Sequence, residues 1–218
     1  MQGVIRQWAS FVAGLLVSVS SASEPLNPAA VPGRPTVVHG MATFSQPAPA
    51  TLNITNSPSA IINWQSFNIP TGHTTRFIQP GADSAVLNRV TGQQFSDLQG
   101  ALRSNGRVYL INPNGVVIGS NAVIDTAGFI ASTLDMSDED FIAGQLAFRG
   151  DSGAAIENHG LIRVRDDGNV VLIAASVRNS GSISTDGGNL VLAAGEAVTI
   201  TSLDNPALQY EVTAPAHT

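Results

Sequence analysis

Two stretches toward the C-terminal end repeat each other: IENHGLI at residues 156–162 and VRNSGSI at residues 177–183. The asparagines, the glycines and the final isoleucines of the two stretches are each 21 residues apart. Each stretch is followed by a second apolar run that opens with asparagine, NVVL at 169–172 and NLVL at 189–192. A looser third copy, IDTAGFI at 124–130, aligns Gly128 with the glycine of the first stretch. The chain therefore contains a repeat of 20–21 residues with short β-type segments.

A period of this length with two or three short strands per unit predicts a solenoid, in which each coil buries its apolar face only against its neighbours. Glycine at the coil corners permits positive φ, and stacked asparagines can bond to one another. A leucine-rich repeat requires a regular Leu frame that is absent, and a β-sandwich does not repeat at this period. The predicted fold class is all-β: a right-handed parallel β-helix, a single-stranded solenoid, with an N-terminal β cap and small extra-helical insertions.

Further elements follow from short apolar runs separated by Gly, Asn, Pro and Asp. The predicted strands outside the repeats are Thr51–Thr55, Ala60–Trp64, Thr74–Ile78, Val86–Val90, Arg107–Ile111 and Val116–Ile118. Residues 95–102 are compatible with one or two helical turns, and 137–142 with another, because Ser137 precedes acidic residues as an N-cap does. Residues 133–153 read as an insertion between coils. The cap is expected over residues 37–68, where Trp64 and Phe67 read as capping or core residues.

The N-terminus has the three-part layout of a secretory signal peptide. Arg6 precedes a mainly apolar stretch of twelve residues from Trp8 to Val19, and small residues suited to cleavage follow. We therefore predict a signal peptide at 1–23 and a Pro-rich leader at 24–36. The β-helix domain is predicted at 37–218, and the chain is either a fragment of a longer exoprotein or an unusually short one.

Composition excludes several classes of function. Only 12% of residues are charged, the net charge is −6, and all ten basic residues are arginines with no stretch that concentrates them. The sequence thus lacks the basic patch of a nucleic-acid-binding protein. There is no cysteine, and the four histidines show no metal-ligand spacing. We expect no cofactor, no metal and a monomer.

The stretch NPNG at 112–115 lies between two apolar runs. Pro113 fixes φ and Asn114-Gly115 tolerates left-handed geometry, so a tight turn is predicted. Turn residues at coil corners are expected on the surface, beside buried ladders. Taken alone, such a stretch is simply a turn.

Its context resembles the N-terminal two-partner secretion domain of the filamentous haemagglutinin family. The matching stretches, in order, are IINWQSFNI at 61–69, VLNRVTG at 86–92, LQGAL at 98–102, SNGRVYLINPNGV at 104–116 and ASTLD at 131–135. The resemblance covers about residues 40–215.

The resemblance implies export by the general export machinery and then recognition by the periplasmic POTRA-type domains of a dedicated outer-membrane β-barrel transporter. The exoprotein would then fold at the surface of a Gram-negative cell or be released. The family's recognition motif falls on Asn112, Pro113, Asn114 and Gly115, and a second motif region on Asn88-Arg89, without the Asn-Pro-Asn-Leu form of one branch. A purely structural role, in which the motifs shape the coil, stays open for both.

Two other functions remain as alternatives. Many parallel β-helices are polysaccharide lyases or hydrolases, but those enzymes place several Asp with Lys or Arg on one strand face. Here no two carboxylates recur at the repeat period in strand positions, so we predict that the chain is not an enzyme. A stand-alone surface adhesin or structural β-helix is the remaining alternative.

Overall fold

The computed structural model describes residues 32–165 and 167–200, together with the backbone of 210–214. The predicted signal peptide and most of the predicted leader lie outside these ranges. The first strand begins at Gly33, inside the stretch that the sequence predicts as leader.

The described chain is built of short strands and one short helix, α1 (Asp138–Ile142). The strands are β1 (Gly33–His39), β2 (Ala42–Ala48), β3 (Thr51–Asn56), β4 (Ala60–Ser66), β5 (Thr74–Ile78), β6 (Ala85–Val90), β7 (Ser96–Leu98), β8 (Ala101–Ser104), β9 (Arg107–Ile111), β10 (Val116–Ile118), β11 (Val123–Thr126), β12 (Gly128–Ser132), β13 (Leu146–Arg149), β14 (Ala155–Asn158), β15 (Leu161–Val164), β16 (Val170–Ala174), β17 (Ser176–Asn179), β18 (Ser182–Thr185), β19 (Leu190–Ala194), β20 (Ala197–Ile200) and β21 (Tyr210–Ala214).

The strands stack into about six coils of a parallel β-helix, which confirms the predicted fold class. Three sheets run along the solenoid. Sheet A has the order β1-β4-β6-β9-β12-β16-β19, sheet B the order β18-β15-β11-β8-β5-β3-β2, and sheet C the order β17-β14-β10-β7. Apart from β1 and β2, every neighbour in these sheets is parallel, and each strand pairs with the equivalent strand one coil away.

The first coil is closed by β1 and β2, which pair antiparallel with β4 and β3. Phe44 of β2 packs edge-on against Trp64, with ring centroids 5.8 Å apart, and Trp64 packs edge-on against Phe67 at 5.5 Å. Both Trp64 and Phe67 are fully buried, which confirms the core interpretation. The antiparallel strands cover edges that would otherwise pair with another chain. The cap predicted over residues 37–68 is therefore smaller than expected, because β3 and β4 within that range are part of the first coil.

Sheet A is largely apolar on both faces. On β9, Val108 and Leu110 point into the solenoid, whereas Tyr109 and Ile111 point outward, yet all four are buried. The outward side chains pack under an extra-helical layer formed by α1, β13 and β20. The predicted insertion supplies α1 and β13, and Ser137 is the N-cap of α1, accepting a hydrogen bond from the Asp140 backbone N–H at 3.0 Å. Burial on two faces explains why the strands of this sheet read as near-continuous apolar runs.

The repeat register is confirmed in the last two coils. Asn158 aligns with Asn179 and Ile162 with Ile183. The Asn158 amide donates to the Asn179 side-chain oxygen at 2.8 Å, so the predicted asparagine ladder forms. The prediction that these corner glycines adopt positive φ was wrong, because neither Gly160 nor Gly181 does so. Instead, a Cβ at Gly181 would lie only 2.2 Å from the Gly160 carbonyl oxygen. Close stacking of the corners requires glycine here.

Two other sequence predictions were wrong. Residues 95–102 contain β7 and the start of β8 rather than helical turns, because Leu98 and Leu102 reach the same core from two strands on either side of a corner. The third repeat copy was also out of register, since Ile162 aligns with Ile124 and not with Ile130. The copy had matched Gly128, which follows β11, with Gly160, which precedes β15, although β11 and β15 are the strands that pair.

Candidate functional site

The stretch 112–115 forms a tight turn between β9 and β10, as predicted from its sequence. The Gly115 backbone N–H donates to the Asn112 carbonyl at 3.0 Å and closes the turn. Gly115 has φ of +107°, a conformation that residues with a side chain rarely adopt. The turn therefore requires glycine at its fourth position.

Asn112 is fully buried, so the expectation that turn residues lie on the surface is wrong for this residue. It continues the inward-facing row of Val108 and Leu110. Its side-chain amide donates to the Ser96 hydroxyl and to the Gln94 carbonyl, each at 3.0 Å. Its side-chain oxygen accepts from the Asn114 backbone N–H at 2.9 Å and from the Asn114 amide at 3.2 Å. Asn112 is thus fixed inside the coil by both ends of its amide group.

Pro113 and Asn114 are the exposed part of the turn. The Asn114 amide donates to the Gly92 carbonyl at 2.9 Å, and the Ser152 hydroxyl donates to the Pro113 carbonyl at 2.6 Å. These bonds tie the turn to the preceding coil and to the segment that opens the next one. The exposed surface of the motif therefore has a defined conformation.

Asn88, the first residue of the second candidate region, is also fully buried. It faces the interior of the solenoid from β6, where its side-chain oxygen accepts from the Trp64 indole N–H at 2.9 Å. Its amide donates to the Tyr109 carbonyl at 3.2 Å. Both polar ends are satisfied within the core, and this geometry fits the structural role that the sequence left open.

Arg89 faces the opposite side of sheet A and holds the extra-helical layer. Its guanidinium donates to Asp135 at 2.9 Å, to Asp138 at 2.8 Å and to the Met136 carbonyl at 2.6 Å. Burial lowers the pKa of Arg89, but the hydrogen bonds to Asp138 and Asp135 outweigh it and raise the pKa above its ordinary value. Arg89 is therefore a permanent cationic clamp between β6 and the start of α1.

The two candidate regions lie on neighbouring strands, since Arg89 aligns with Ile111, the residue before Asn112. Sequence reasoning missed the groups that fix Asn112, which are Gln94 and Ser96. These residues precede Asn112 by 18 and 16 positions, two to five residues less than one coil of 20–21, so the repeat spacing does not identify them.

Among the described residues, no three or more metal-ligating side chains come together. The same residues include no helix with the length and apolar character needed to cross a membrane.

Comparison with known proteins gives a consistent result. The profile of the family described as TPS secretion domain matches residues 45–217. The crystal structure of the HMW1 secretion domain from Haemophilus influenzae superposes with a TM-score of 0.77 at 45% sequence identity. That alignment covers 85% of this chain and 49% of the HMW1 chain.

Two heme/hemopexin-binding proteins are similar in sequence. The protein from Haemophilus influenzae strain Rd is 36% identical over 157 residues, which are 68% of this chain and 17% of that protein. A second protein of the same name from Haemophilus influenzae is 45% identical over 80 residues, covering 37% of this chain and 9% of that protein. The chain thus spans only a small part of the length of these relatives.

Proposed function

Because the chain belongs to the family of TPS secretion domains, we propose that it targets an exoprotein to a dedicated outer-membrane β-barrel transporter of the two-partner type. The family match covers residues 45–217, which includes every coil of the solenoid. The matched family is a secretion domain and not an enzyme family, and this supports a role in transport without a catalytic step.

We further propose that POTRA-type domains of the transporter recognise the turn at residues 112–115 in its folded form. The observation that carries this proposal is that the four residues of the motif differ in burial. Asn112 and Gly115 are buried and build the turn, whereas Pro113 and Asn114 are exposed and held by bonds to Gly92 and Ser152. A recognised loop presented on a rigid scaffold loses little conformational freedom on binding.

The β-helix provides a second part of the function, the nucleation of folding at the cell surface. Each coil offers the strand edges on which the next coil pairs, so folding of one coil lowers the cost of folding its neighbour. The cap of β1 and β2 closes the first coil, which gives this growth a defined starting end. Folding outside the cell also supplies free energy for transport where no nucleotide is available.

The proposed route begins with the signal peptide at 1–23, which would direct the chain to the general export machinery and into the periplasm. From there the transporter would deliver it to the surface of a Gram-negative cell or to the medium. N-terminal sequencing of the secreted protein would show whether cleavage falls near residue 23.

Secretion of Pro113→Ala tests the recognition proposal. The Pro113 ring is exposed and makes no hydrogen bond, so its loss should cost at most about 1 kcal/mol, mainly through the unfolded chain. The matched control is Pro80→Ala, an exposed proline in the β5–β6 connection. We expect Pro113→Ala to reduce the amount of exoprotein in the medium of transporter-bearing cells at least about tenfold, with Pro80→Ala unchanged. Equal secretion of the two variants would reject recognition through the exposed turn.

A further inference from the structure

The outer face of sheet B carries a ladder of arginines that are far apart in the sequence. Arg76 on β5 aligns with Arg103 on β8, and Arg103 aligns with Asp125 on β11. Asp125 in turn aligns with Arg163 on β15, and Arg165 follows two residues later on the same side. Neighbouring parallel strands are about 4.8 Å apart. The coils therefore bring together cations that no single stretch of sequence concentrates.

The negative charge within the ladder does not match the positive charge. Asp125 pairs with Arg163 at 2.9 Å and with Arg165 at 2.7 Å, so one carboxylate already serves two guanidiniums. Arg76 and Arg103 are exposed, and within the described residues neither makes an ion pair or a side-chain hydrogen bond. Like charges on directly paired strand positions are destabilising. This excess of positive charge stands on a chain whose net charge is −6.

The ladder borders a cleft with a volume of about 330 Å³. Among the residues that the structure describes, its lining includes three arginines, Arg76, Arg103 and Arg165, and one acidic residue, Asp125. The volume lies at the lower end of the range of about 300–1,000 Å³ that small-molecule sites occupy. Asn105, also in the lining, is already committed, because it exchanges hydrogen bonds with the Gln79 backbone at 2.8 and 2.7 Å. Among the described residues of the cleft, Arg76 and Arg103 therefore supply the guanidiniums that have no partner.

We propose that this cleft binds a phosphate group carried by a small molecule or a lipid headgroup. Guanidinium groups donate in a fixed fork that matches phosphate oxygens, and they stay charged at every physiological pH. A phosphate offers more acceptor oxygens than a carboxylate and so can satisfy guanidiniums from three directions. Its charge also relieves the repulsion between Arg76 and Arg103. The Ile78 side chain at the edge of the cleft can contact the apolar part of such a ligand.

Calorimetric titration of the purified chain with glycerol 3-phosphate tests the proposal, with sodium acetate at equal ionic strength as the carboxylate comparison. We expect saturable binding of the phosphate and at least about tenfold weaker binding for Arg103→Gln. The matched control is Arg178→Gln, which removes the same charge from an exposed position on β17, outside the cleft. That control should change the affinity less than about twofold. Because Arg103 is exposed and unpaired, Arg103→Gln should unfold at the temperature of the unmodified chain or slightly above it.

Co-sedimentation with phosphatidylglycerol vesicles, compared with phosphatidylcholine vesicles, identifies the source of the phosphate. Binding to anionic vesicles but not to glycerol 3-phosphate would assign the site to a lipid headgroup, and the opposite result to a soluble phosphate. In either case Arg103→Gln must weaken the binding. The proposal is wrong if neither probe binds, if acetate binds as tightly as glycerol 3-phosphate, or if Arg178→Gln weakens binding as much as Arg103→Gln.

Discussion

Replacing Asn112 with alanine should destabilise the domain by about 2–4 kcal/mol, more than a surface turn residue would. The substitution removes two bonds donated at 3.0 Å and two accepted at 2.9 and 3.2 Å. The Ser96 hydroxyl is fully buried and loses its bond, whereas Gln94 is exposed and its carbonyl can bond to water instead. Each buried polar group left without a partner costs about 1–3 kcal/mol. The Asn114 N–H is at the surface and can bond to water, so the loss of its hydrogen bond to Asn112 adds little to the cost.

The assay is denaturation of the purified variant in urea, in which the shift of the midpoint at constant slope gives the change in the free energy of unfolding. Pro113→Ala is the companion variant from the same turn and should lose at most about 1 kcal/mol. Secretion of both variants is measured in parallel. We expect both to be secreted poorly, Asn112→Ala because its coil is unstable and Pro113→Ala although its coil is intact.

A loss below about 1 kcal/mol for Asn112→Ala would refute this reasoning. It would mean that water or a rearranged turn satisfies the groups around Ser96 and that the buried amide does not hold the coil. A reduced slope in urea would indicate instead that the two-state assumption fails for this solenoid.

Three further predictions concern the core, the clamp and the ladder. Ile162→Asp places a charge in the centre of the core and should lower the free energy of unfolding by about 3–5 kcal/mol in urea denaturation. Ile183→Asp should lower it clearly less, because the Ile183 side chain in the last coil is only half-buried. Equal losses for the two variants would show that the Ile183 side chain is as well covered as that of Ile162. Arg89→Met should loosen the extra-helical layer, so amide hydrogen exchange in residues 134–149 should accelerate while the coils stay protected; uniform protection would argue against the clamp. Burial raises the pKa of Asp125, but Arg163 and Arg165 outweigh it and hold the pKa below its ordinary value. Asp125 therefore stabilises the fold above the unfolded pKa of about 4 and loses this effect as pH falls through the lower folded value. Asp125→Asn should have a lower free energy of unfolding than the unmodified chain at pH 7, and this difference should shrink in acid. A difference that does not depend on pH would contradict this.

The sequence predicted the solenoid because the last coils repeat without insertions. The asparagine and glycine corners recur at a constant spacing, and their register in the structure is the one that the spacing implies. For the looser copy at residues 124–130 the same reasoning failed, because Gly128 follows β11 whereas Gly160 precedes β15, so glycines of two different corners were matched. Apolar spacing also misled at Leu98 and Leu102, since a corner can place two such residues on one core as a helix does.

The candidate turn was predicted correctly, but its burial was not. Alternation along β9 could have placed Asn112 inward after Val108 and Leu110, yet a polar residue in that row reads more naturally as exposed. The partners of Arg89 lie 46 and 49 residues away, and the arginines of the ladder come from separate coils. Only the stacking register brings such groups together, so no local pattern could have identified them.

The most direct test of the central claim is calorimetric titration of the chain with the purified periplasmic domains of a two-partner outer-membrane transporter that secretes it. We predict saturable binding with one site per chain, at least about tenfold weaker for Pro113→Ala and unchanged for Pro80→Ala. Absence of binding by the folded chain, or equal affinity of the two proline variants, would contradict recognition through the turn at residues 112–115.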